Sequence, residues 1–539
     1  MRRTLLLLLV TAALAVCSWS HALRALGGPD TPRNRAPTQA ASTRSTKPAE
    51  STQQFMEKAR RIAEINRELY KLFKAGKYAQ CEPLLEKILQ IDPENSTAWY
   101  NLACVHSRQR QIDETLRCLN KAVEFGYTEF RHMERDEDLD PIRKTDAYKK
   151  LLARKDEIQR ARAQKILDQL QQKFGADYIC QIDHDDKLVF ATNVDRQTLE
   201  DLKKHLTSYA EAQWSNLFTH KFEQYVTVVI PKPGTLNQPM IGGYYYHPQR
   251  LLVAKTIGMT LTHEFTHALH AADQEGLGQQ HPIWIIEGFA TLYESSKVKD
   301  GQAVPEPNRR LNFLKRLVAR KQTIPWEKFL KLTHPEFMQQ AIAAYPQGRY
   351  MLMYVHDKGL LKTWYEAYTA DYEADPTGAK ALEKVFDKKL AQIEADWKKW
   401  VEQLPAPPLQ LVAHHAYVGV RVSAVTDGLR IVQIVPGSGA EKAGLKVGDV
   451  ITKIDGERMV DPDDLLLLVD AHKVGDELKI QCRRDGQYTT VAVELTAMPD
   501  TLPKMEEPAP ETRPAPTTKP IRRNAPPIRR DTAPARNAA

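Results

Sequence analysis

The chain has 539 residues, of which 42% are hydrophobic and 27% are charged, and its formal charge is +8. This length is enough for about three ordinary domains. The composition excludes a polytopic membrane protein and a wholly disordered chain, and six cysteines are too few for a disulfide scaffold.

The excess of positive over negative charge is confined to the two ends of the chain. Residues 1–48 and residues 513–539 each carry a net charge of +6, which leaves the middle of the chain at −4. A basic balance located only at the ends gives no support to nucleic-acid binding, so we expect no nucleic-acid partner.

Residues 1–22 contain the three parts of a secretory signal: Arg2 and Arg3, an apolar run, and a small-residue site that ends at Ala22. We predict cleavage after Ala22 and an exported protein, in the periplasm or cell envelope or secreted. Two alternatives stay open. The run ending at Cys17 resembles a lipobox, although Val16 stands where a small residue is usual, and an uncleaved segment would anchor the protein in a membrane.

Two stretches rich in Pro, Ala, Thr and Arg have no apolar period. Residues 23–52 are predicted to be a disordered linker, and residues 497–539 a disordered Pro/Arg-rich tail. Neither stretch has enough apolar surface to offset the entropy of ordering it.

Residues 53–155 have a helical pattern that repeats at an offset of 34. The apolar positions of residues 78–89 recur in residues 112–123, and residues 92–95 supply the break between them. The pattern resembles the tetratricopeptide repeat, which implies an array of helical hairpins and a protein partner at the repeats. The alternative for an array of two or three units is a purely structural packing role. Cys81, Cys104 and Cys118 are expected to be buried as small hydrophobic residues instead of forming disulfides.

The most informative stretch is residues 256–270, whose apolar residues follow a helical period. His263 and His267 are four residues apart and therefore project from one face, where two imidazoles can hold one zinc ion. Glu264 lies beside them, where a carboxylate can reach a metal-bound water without being a ligand.

Glu287 is the one acid in the otherwise apolar run 283–290. An unpaired buried carboxylate is costly, whereas a carboxylate bound to a metal is satisfied. Glu287 is therefore predicted as the third metal ligand. Two histidines and one glutamate leave a fourth position for water, which is typical of a catalytic zinc site.

The pattern H-E-x-x-H followed by E-G-x-A resembles the gluzincin metallopeptidases. The resemblance implies a thermolysin-like α+β metallopeptidase domain over residues 160–404. Residues 242–246 and 251–254 have the pattern of a β hairpin, whose edge strand pairs with extended substrate in gluzincins.

The stretch Y-x-x-G at Tyr345 resembles the tyrosine motif of gluzincin aminopeptidases, which implies that Tyr345 steadies the oxyanion, with Tyr350 as the reserve candidate. The sequence has no G-x-M-E-N stretch, which those aminopeptidases use to hold a free amino terminus, so exopeptidase specificity does not carry over from the resemblance.

A metzincin pattern is the alternative for this domain. Its third ligand would fall at Asp273, but His270 occupies the place of the glycine that lets such a chain turn.

Residues 412–496 combine alternating strands with the glycine-rich stretch 436–451. They resemble a bacterial-type PDZ domain, like those appended to envelope serine proteases. The resemblance implies that Tyr417, Val418, Gly419 and Val420 form a carboxylate-binding loop for peptide C-termini, and that residues 463–471 form the helix beside the groove. The alternative is a PDZ domain that packs on its neighbour and binds nothing.

Together these patterns predict a multidomain α+β protein with a helical tetratricopeptide array, a thermolysin-like metallopeptidase domain and a small β-rich PDZ domain. The function expected is that of an exported zinc metallopeptidase, an endopeptidase, that hydrolyses peptide bonds in protein or peptide substrates with one catalytic Zn²⁺. In that mechanism Glu264 is the general base and Tyr345 the oxyanion donor. The alternative function is a non-catalytic envelope adaptor that uses its repeats and PDZ domain.

Overall fold

The computed structural model describes residues 52–233, 242–410 and 413–501. The predicted signal peptide, and nearly all of the predicted linker and tail, lie outside the described residues. None of the helices within the described ranges combines the length and apolar character that a transmembrane span requires.

The first described part of the chain is helical. Its helices are α1 (Thr52–Lys74), α2 (Tyr78–Ile91), α3 (Ser96–Arg108), α4 (Ile112–Glu124), α5 (Phe130–Arg135) and α6 (Asp146–Ala153). Helices α2 and α4 bury four side chains each at positions 34 residues apart: Cys81, Leu84, Leu85 and Ile88 in α2, and Thr115, Cys118, Leu119 and Ala122 in α4. The sequence offset therefore corresponds to one repeated packing face. The five described cysteines are free thiols, and those of the repeats are buried as expected.

A mixed five-stranded sheet follows, with strand order β1-β2-β3-β5-β4. The elements are α7 (Lys155–Phe174), β1 (Ile179–Asp183), β2 (Leu188–Thr192), α8 (Arg196–Asn216), β3 (Val226–Ile230), β4 (Gly243–Tyr246), β5 (Leu251–Ala254) and α9 (Met259–Leu277). Strands β2, β3 and β5 are parallel, whereas β1 and β4 pair antiparallel with their neighbours. The predicted hairpin is thus present, and β4 is an edge strand.

Side chains of the inner strands alternate between two hydrophobic clusters, as the two-residue period of a strand requires. Val189 packs with Ile166 of α7 on one face, whereas Phe190 packs with Leu202 of α8 and Leu261 of α9 on the other. Helix α9, which carries the histidine motif, is therefore fixed on the second face of the sheet.

The chain then forms a helical half that covers α9. Its elements are α10 (Ile283–Tyr293), β6 (Ser296–Lys299), β7 (Gln302–Pro305), α11 (Arg310–Ala319), α12 (Trp326–Phe329), α13 (His334–Gln339), α14 (Ala341–Asp357), α15 (Leu361–Ala370), α16 (Ala379–Phe386) and α17 (Leu390–Gln403). Helices α10 and α14 approach closely where Gly288 meets Gly348, since a Cβ on Gly288 would lie 2.9 Å from Leu352 Cδ1. This approach brings Glu287 on α10 near Tyr345 on α14.

The last described part is β-rich. Its elements are β8 (Ala416–Tyr417), β9 (Val420–Val425), β10 (Gly428–Ile434), α18 (Gly439–Lys442), β11 (Val450–Ile454), β12 (Glu457–Arg458), α19 (Pro462–Asp470), β13 (Glu477–Arg484), β14 (Gln487–Glu494) and β15 (Thr496–Ala497). Strands β9 to β14 form one antiparallel sheet in which β9 is an edge strand. Its core is separate from that of the central region, except that Val460 packs into the central core.

Candidate metal site and peptide groove

Helices α9 and α10 bring three donor atoms together. His263 and His267 lie one turn apart on α9, and their Nε2 atoms are 3.2 Å apart. Oε2 of Glu287, on α10, lies 3.5 Å from His263 Nε2 and 3.6 Å from His267 Nε2. The structure thus gathers the three residues that the sequence singles out as metal ligands.

The spacing of these atoms fits a tetrahedral ion. Zinc bonds of about 2.0–2.2 Å place neighbouring ligand atoms roughly 3.3–3.6 Å apart. Within the described chain, Glu287 Oε2 is buried and forms no hydrogen bond, so it is a polar atom that lacks a partner. One carboxylate oxygen with two imidazole nitrogens is also a donor set that zinc accepts.

Carboxylates make the surroundings of these donors favourable to a cation. Burial by itself would lower the pKa of His263, but the nearby carboxylates of Glu287 and Glu294 outweigh burial and raise the pKa to about 10. Burial would raise the pKa of Glu287, yet the two histidines hold that pKa well below its usual range. Both shifts show that the site stabilises positive charge beside its carboxylates.

Glu264 and Tyr345 lie beside the cluster. Glu264 is buried, burial raises its pKa against the opposing effect of both histidines, and it accepts a hydrogen bond from the backbone of Tyr245 on the edge strand β4. The Tyr345 ring centre is 6.5 Å from that of His263. Burial and the charge of Glu287 raise the pKa of the Tyr345 hydroxyl, which therefore stays protonated at neutral pH.

Tyr350, the reserve candidate for the oxyanion donor, and Asp273, the alternative third metal ligand, have other partners. The Tyr350 hydroxyl donates to the Asn308 carbonyl oxygen at 3.3 Å, and the Asp273 carboxylate accepts from the backbone of His220 and from the Tyr365 hydroxyl. Asp273 is not among the described residues that cluster around a possible metal position.

Three residues that support His263 are not predicted from the sequence. Glu294 Oε2 lies 3.1 Å from His263 Nδ1, so its carboxylate can fix the ring orientation. Arg310 Nε donates to Glu294 Oε1 at 2.6 Å, and Asn308 Nδ2 donates to the same oxygen at 3.2 Å. The position of Glu294, two helical turns after Glu287, is the one sequence signal that could have identified it.

A second group of possible donors lies in the repeats, at His106, Glu114 and Cys118. Its members already have partners: His106 Nδ1 lies 2.6 Å from Gln111 Oε1, and Glu114 pairs with Arg117 at 2.7 Å. Burial also raises the pKa of the Cys118 thiol to about 11, which keeps it protonated. We therefore assign no metal to this group.

The loop 417–420 has the conformation that a peptide-carboxylate loop requires. Gly419 has φ = +93°, and a Cβ there would overlap Ser438, so only glycine fits. Edge strand β9 leaves this loop, and α19 packs beside β8 and β9. We call the space between β9 and α19 the peptide groove.

Serine residues within the described ranges do not form the pair that nucleophilic catalysis needs. Ser296 donates to the Tyr293 carbonyl oxygen and Ser295 to the Met259 sulfur, and no serine hydroxyl in the described ranges is hydrogen bonded to a histidine ring.

Two family profiles match this chain. One, described as tetratricopeptide repeat, matches residues 72–128, and the other, described as PDZ domain, matches residues 416–495. The predictions of repeats and of a PDZ domain are therefore confirmed, together with a multidomain α+β architecture. No profile of a zinc peptidase matches, so a thermolysin-like class for the central region is not shown. The predicted domain limits stay predictions.

Similar proteins include serine proteases. A probable periplasmic serine endoprotease, DegP-like, from Rhizobium meliloti is 34% identical over 108 residues, which are 18% of this chain and 21% of that protein. A serine protease, Do-like HtrA, from Lactococcus lactis is 36% identical over 74 residues, which are 14% of this chain and 18% of that protein. A structure of the HtrA-type protease AlgW with decapeptide is 24% identical, covers 16% of this chain and 30% of its own, and has a TM-score of 0.16.

These relatives contradict the function predicted from the sequence. They are named as serine proteases, whereas the prediction was an exported zinc-dependent peptidase of the gluzincin type. They give no better support to the adaptor alternative. The assignment as a zinc metalloprotease therefore conflicts with these relatives. The physical reason is that a short motif specifies a set of donor atoms, and a donor set does not by itself fix the reaction.

Proposed function

We propose that this chain is an exported protein that acts on polypeptides, and that His263, His267 and Glu287 bind one zinc ion. The spacing of the three donor atoms, 3.2 to 3.6 Å, carries the zinc part of the proposal. The apolar leader of the chain and the periplasmic location in the name of the Rhizobium relative support export.

The partners proposed are proteins or peptides. PDZ domains and tetratricopeptide repeats both bind polypeptides, and this chain contains both. The edge strand β9, the loop 417–420 and α19 provide the surface on which an extended peptide with a free carboxylate would bind. A protein partner at the helical repeats is proposed as well.

Two residues beside the donors are proposed to act on a bound group. A bound zinc ion supplies Lewis acidity at this position. The Glu264 carboxylate is placed to hold and return a proton there, and the Tyr345 hydroxyl is placed to donate a hydrogen bond. A thermolysin-like fold of the central region is also proposed, supported by the sheet with α9 on one face and by α10 with the third donor.

Metal analysis of the purified chain tests the zinc proposal. We expect one zinc per wild-type chain, and less than a tenth of that in His263→Ala and Glu287→Gln. The exposed His334 gives the matched control, because His334→Ala removes an imidazole outside the site and should keep full zinc. Wild-type protein without zinc, or equal zinc in all variants, would refute the assignment.

Cleavage of an unfolded protein such as casein tests the activity and its class. Inhibition and covalent labelling by a fluorophosphonate would place this chain in the serine class of its relatives. Cleavage that survives the reagent and is lost in Glu264→Gln would exclude that class. If the wild-type protein cleaves nothing, with or without the reagent, its action on polypeptides is binding alone.

A further inference from the structure

Residues that follow β9 and precede α19, the two elements of the peptide groove, touch the segment Ile257–Gly258, which leads directly into α9. The Ile257 N–H donates to the carbonyl oxygen of Thr426, in the turn that follows β9, at 3.0 Å. Arg458 Nη2 donates to the Ile257 carbonyl oxygen at 3.0 Å. A Cβ on Gly258 would lie 3.0 Å from Val460 Cβ, so the PDZ domain packs closely against this backbone.

These contacts hold the start of the helix that carries His263. Ile257 is buried, and Val460 belongs to the core of the central region although its neighbours belong to the PDZ domain. The Gly258 carbonyl oxygen accepts the first hydrogen bond of α9, from Thr262 N–H at 3.1 Å. A shift of β9 or α19 that moves Thr426 or Val460 would therefore be transmitted to the first turn of α9.

A second route joins the groove helix to the same histidine. Asp463, in the first turn of α19, pairs with Arg309 at 2.8 Å. The next residue, Arg310, pairs with Glu294, whose other oxygen lies 3.1 Å from His263 Nδ1. The residues that orient His263 are therefore adjacent in sequence to a residue that the PDZ domain holds.

We propose that the PDZ domain positions the zinc site, so that occupancy of the peptide groove and zinc binding at His263 affect each other. The inference rests on the proposed zinc site and deepens it by naming its regulation. Arg458 and Asp463 are positioning residues in this scheme, because each acts on His263 through other groups. Coupling between two sites is reciprocal. A peptide bound in the groove must therefore change zinc affinity by the same factor by which bound zinc changes peptide affinity.

Two variants in the PDZ domain test the proposal in the full-length chain. Arg458→Met keeps an apolar stem and removes the hydrogen bond to Ile257, and Asp463→Asn removes the charge that pairs with Arg309. Asp470→Asn, at the exposed far end of α19, is the matched control. Zinc affinity is measured by competition with a chromophoric chelator, and hydrogen–deuterium exchange is measured over residues 256–262 and 306–312.

We expect zinc affinity to fall about three- to tenfold in Arg458→Met and Asp463→Asn, with faster exchange in the two segments, and no change in Asp470→Asn. Wild-type zinc affinity and exchange in both variants would overturn the coupling. If the wild-type chain binds no zinc, the proposed function fails, and the exchange of residues 256–262 and 306–312 in the zinc-free protein still decides whether the PDZ domain holds these segments. A PDZ domain unfolded in either variant is detected by exchange over residues 477–494, and Val460→Ala then replaces that variant.

Discussion

Glu294 shows how one buried carboxylate can control a site without belonging to its donor set. It lies between His263 and Arg310, and these two bonds lower its pKa to about 2 although burial alone would raise it. Glu294 therefore stays ionised and accepts a hydrogen bond from Nδ1 of His263. The other ring nitrogen, Nε2, faces Glu287 and His267 and is the one that would release its proton to bind zinc.

Glu294→Gln should weaken zinc binding about 10- to 100-fold, because an amide orients the imidazole less strongly than a carboxylate does. The measurement is a chelator competition at neutral pH. Glu327→Gln, at an exposed position, is the control and should bind zinc like the wild-type chain. Equal affinity in both variants would show that Glu294 has only a packing role.

Asp138 carries a separate prediction about pH. Burial and the nearby Asp136 raise its pKa to about 6 from an ordinary value near 4, against the opposing effect of Tyr78 and Arg108. The folded repeats hold this proton more tightly than the unfolded chain does. The contribution to stability is therefore fully present below about pH 4 and is lost as pH rises to about 6.

Asp138→Asn should consequently stabilise the repeats at pH 7 by up to about 3 kcal/mol and have little effect at pH 4. Hydrogen exchange over residues 78–124 gives the opening free energy of wild type and variant at each pH. The difference between the two proteins should grow through this window, and a difference that is constant with pH would contradict the prediction.

At the scale of elements, periodic patterns in the sequence predicted which residues share one face of a helix, because helix geometry alone determines this. The spacing of four placed His263 and His267 on one face of α9, and the offset of 34 located the buried faces of α2 and α4. The support of His263 by Glu294 and Arg310 could not be predicted in this way, because it depends on how the chain after β7 returns to α10. The contact of Ile257 with the PDZ domain joins residues about 170 positions apart in sequence, and no periodicity records such a pair.

The loop between β8 and β9 should tolerate no side chain at Gly419. Gly419→Ala adds a Cβ that meets Ser438 at a backbone angle that L residues rarely adopt, and we expect a loss of about 2–4 kcal/mol in PDZ stability. Gly486→Ala is the matched control, since Gly486 also has positive φ but has open space around it, and it should cost about 1 kcal/mol. Thermal unfolding of the full-length variants distinguishes the two effects.

At the scale of the whole molecule, charge pairs cover the contact between the PDZ domain and the central region. Lys453 pairs with Asp201 at 2.6 Å, and Arg483 pairs with Asp195 at 2.8 Å, where the Tyr488 hydroxyl also donates to Asp195. Asp195 is the cap residue of α8, so the PDZ domain contacts a helix that packs directly on the sheet. These pairs hold the PDZ domain on its neighbour, the central region.

Exchanging the charges of one pair tests this contact. Lys453→Asp and Asp201→Lys should each place like charges together and loosen the PDZ domain, whereas the double variant should recover about 0.5–1.5 kcal/mol of coupling. Protease cleavage between residues 404 and 416 is the measurement, because a loosened domain exposes its connection. Additive effects in the double variant would mean that the pair does not contribute to docking.

The pairing of β8 with β15 has a consequence for how this protein could be rebuilt. His414 N–H donates to the Met498 carbonyl oxygen, and Met498 N–H donates to that of His415, so the chain enters and leaves the PDZ domain at the same place. A domain with adjacent ends can be exchanged as a cassette without redirecting the rest of the polypeptide. Chimeras that keep residues 426, 458, 460 and 463 while replacing the groove would yield proteins with new peptide preferences on an unchanged central region.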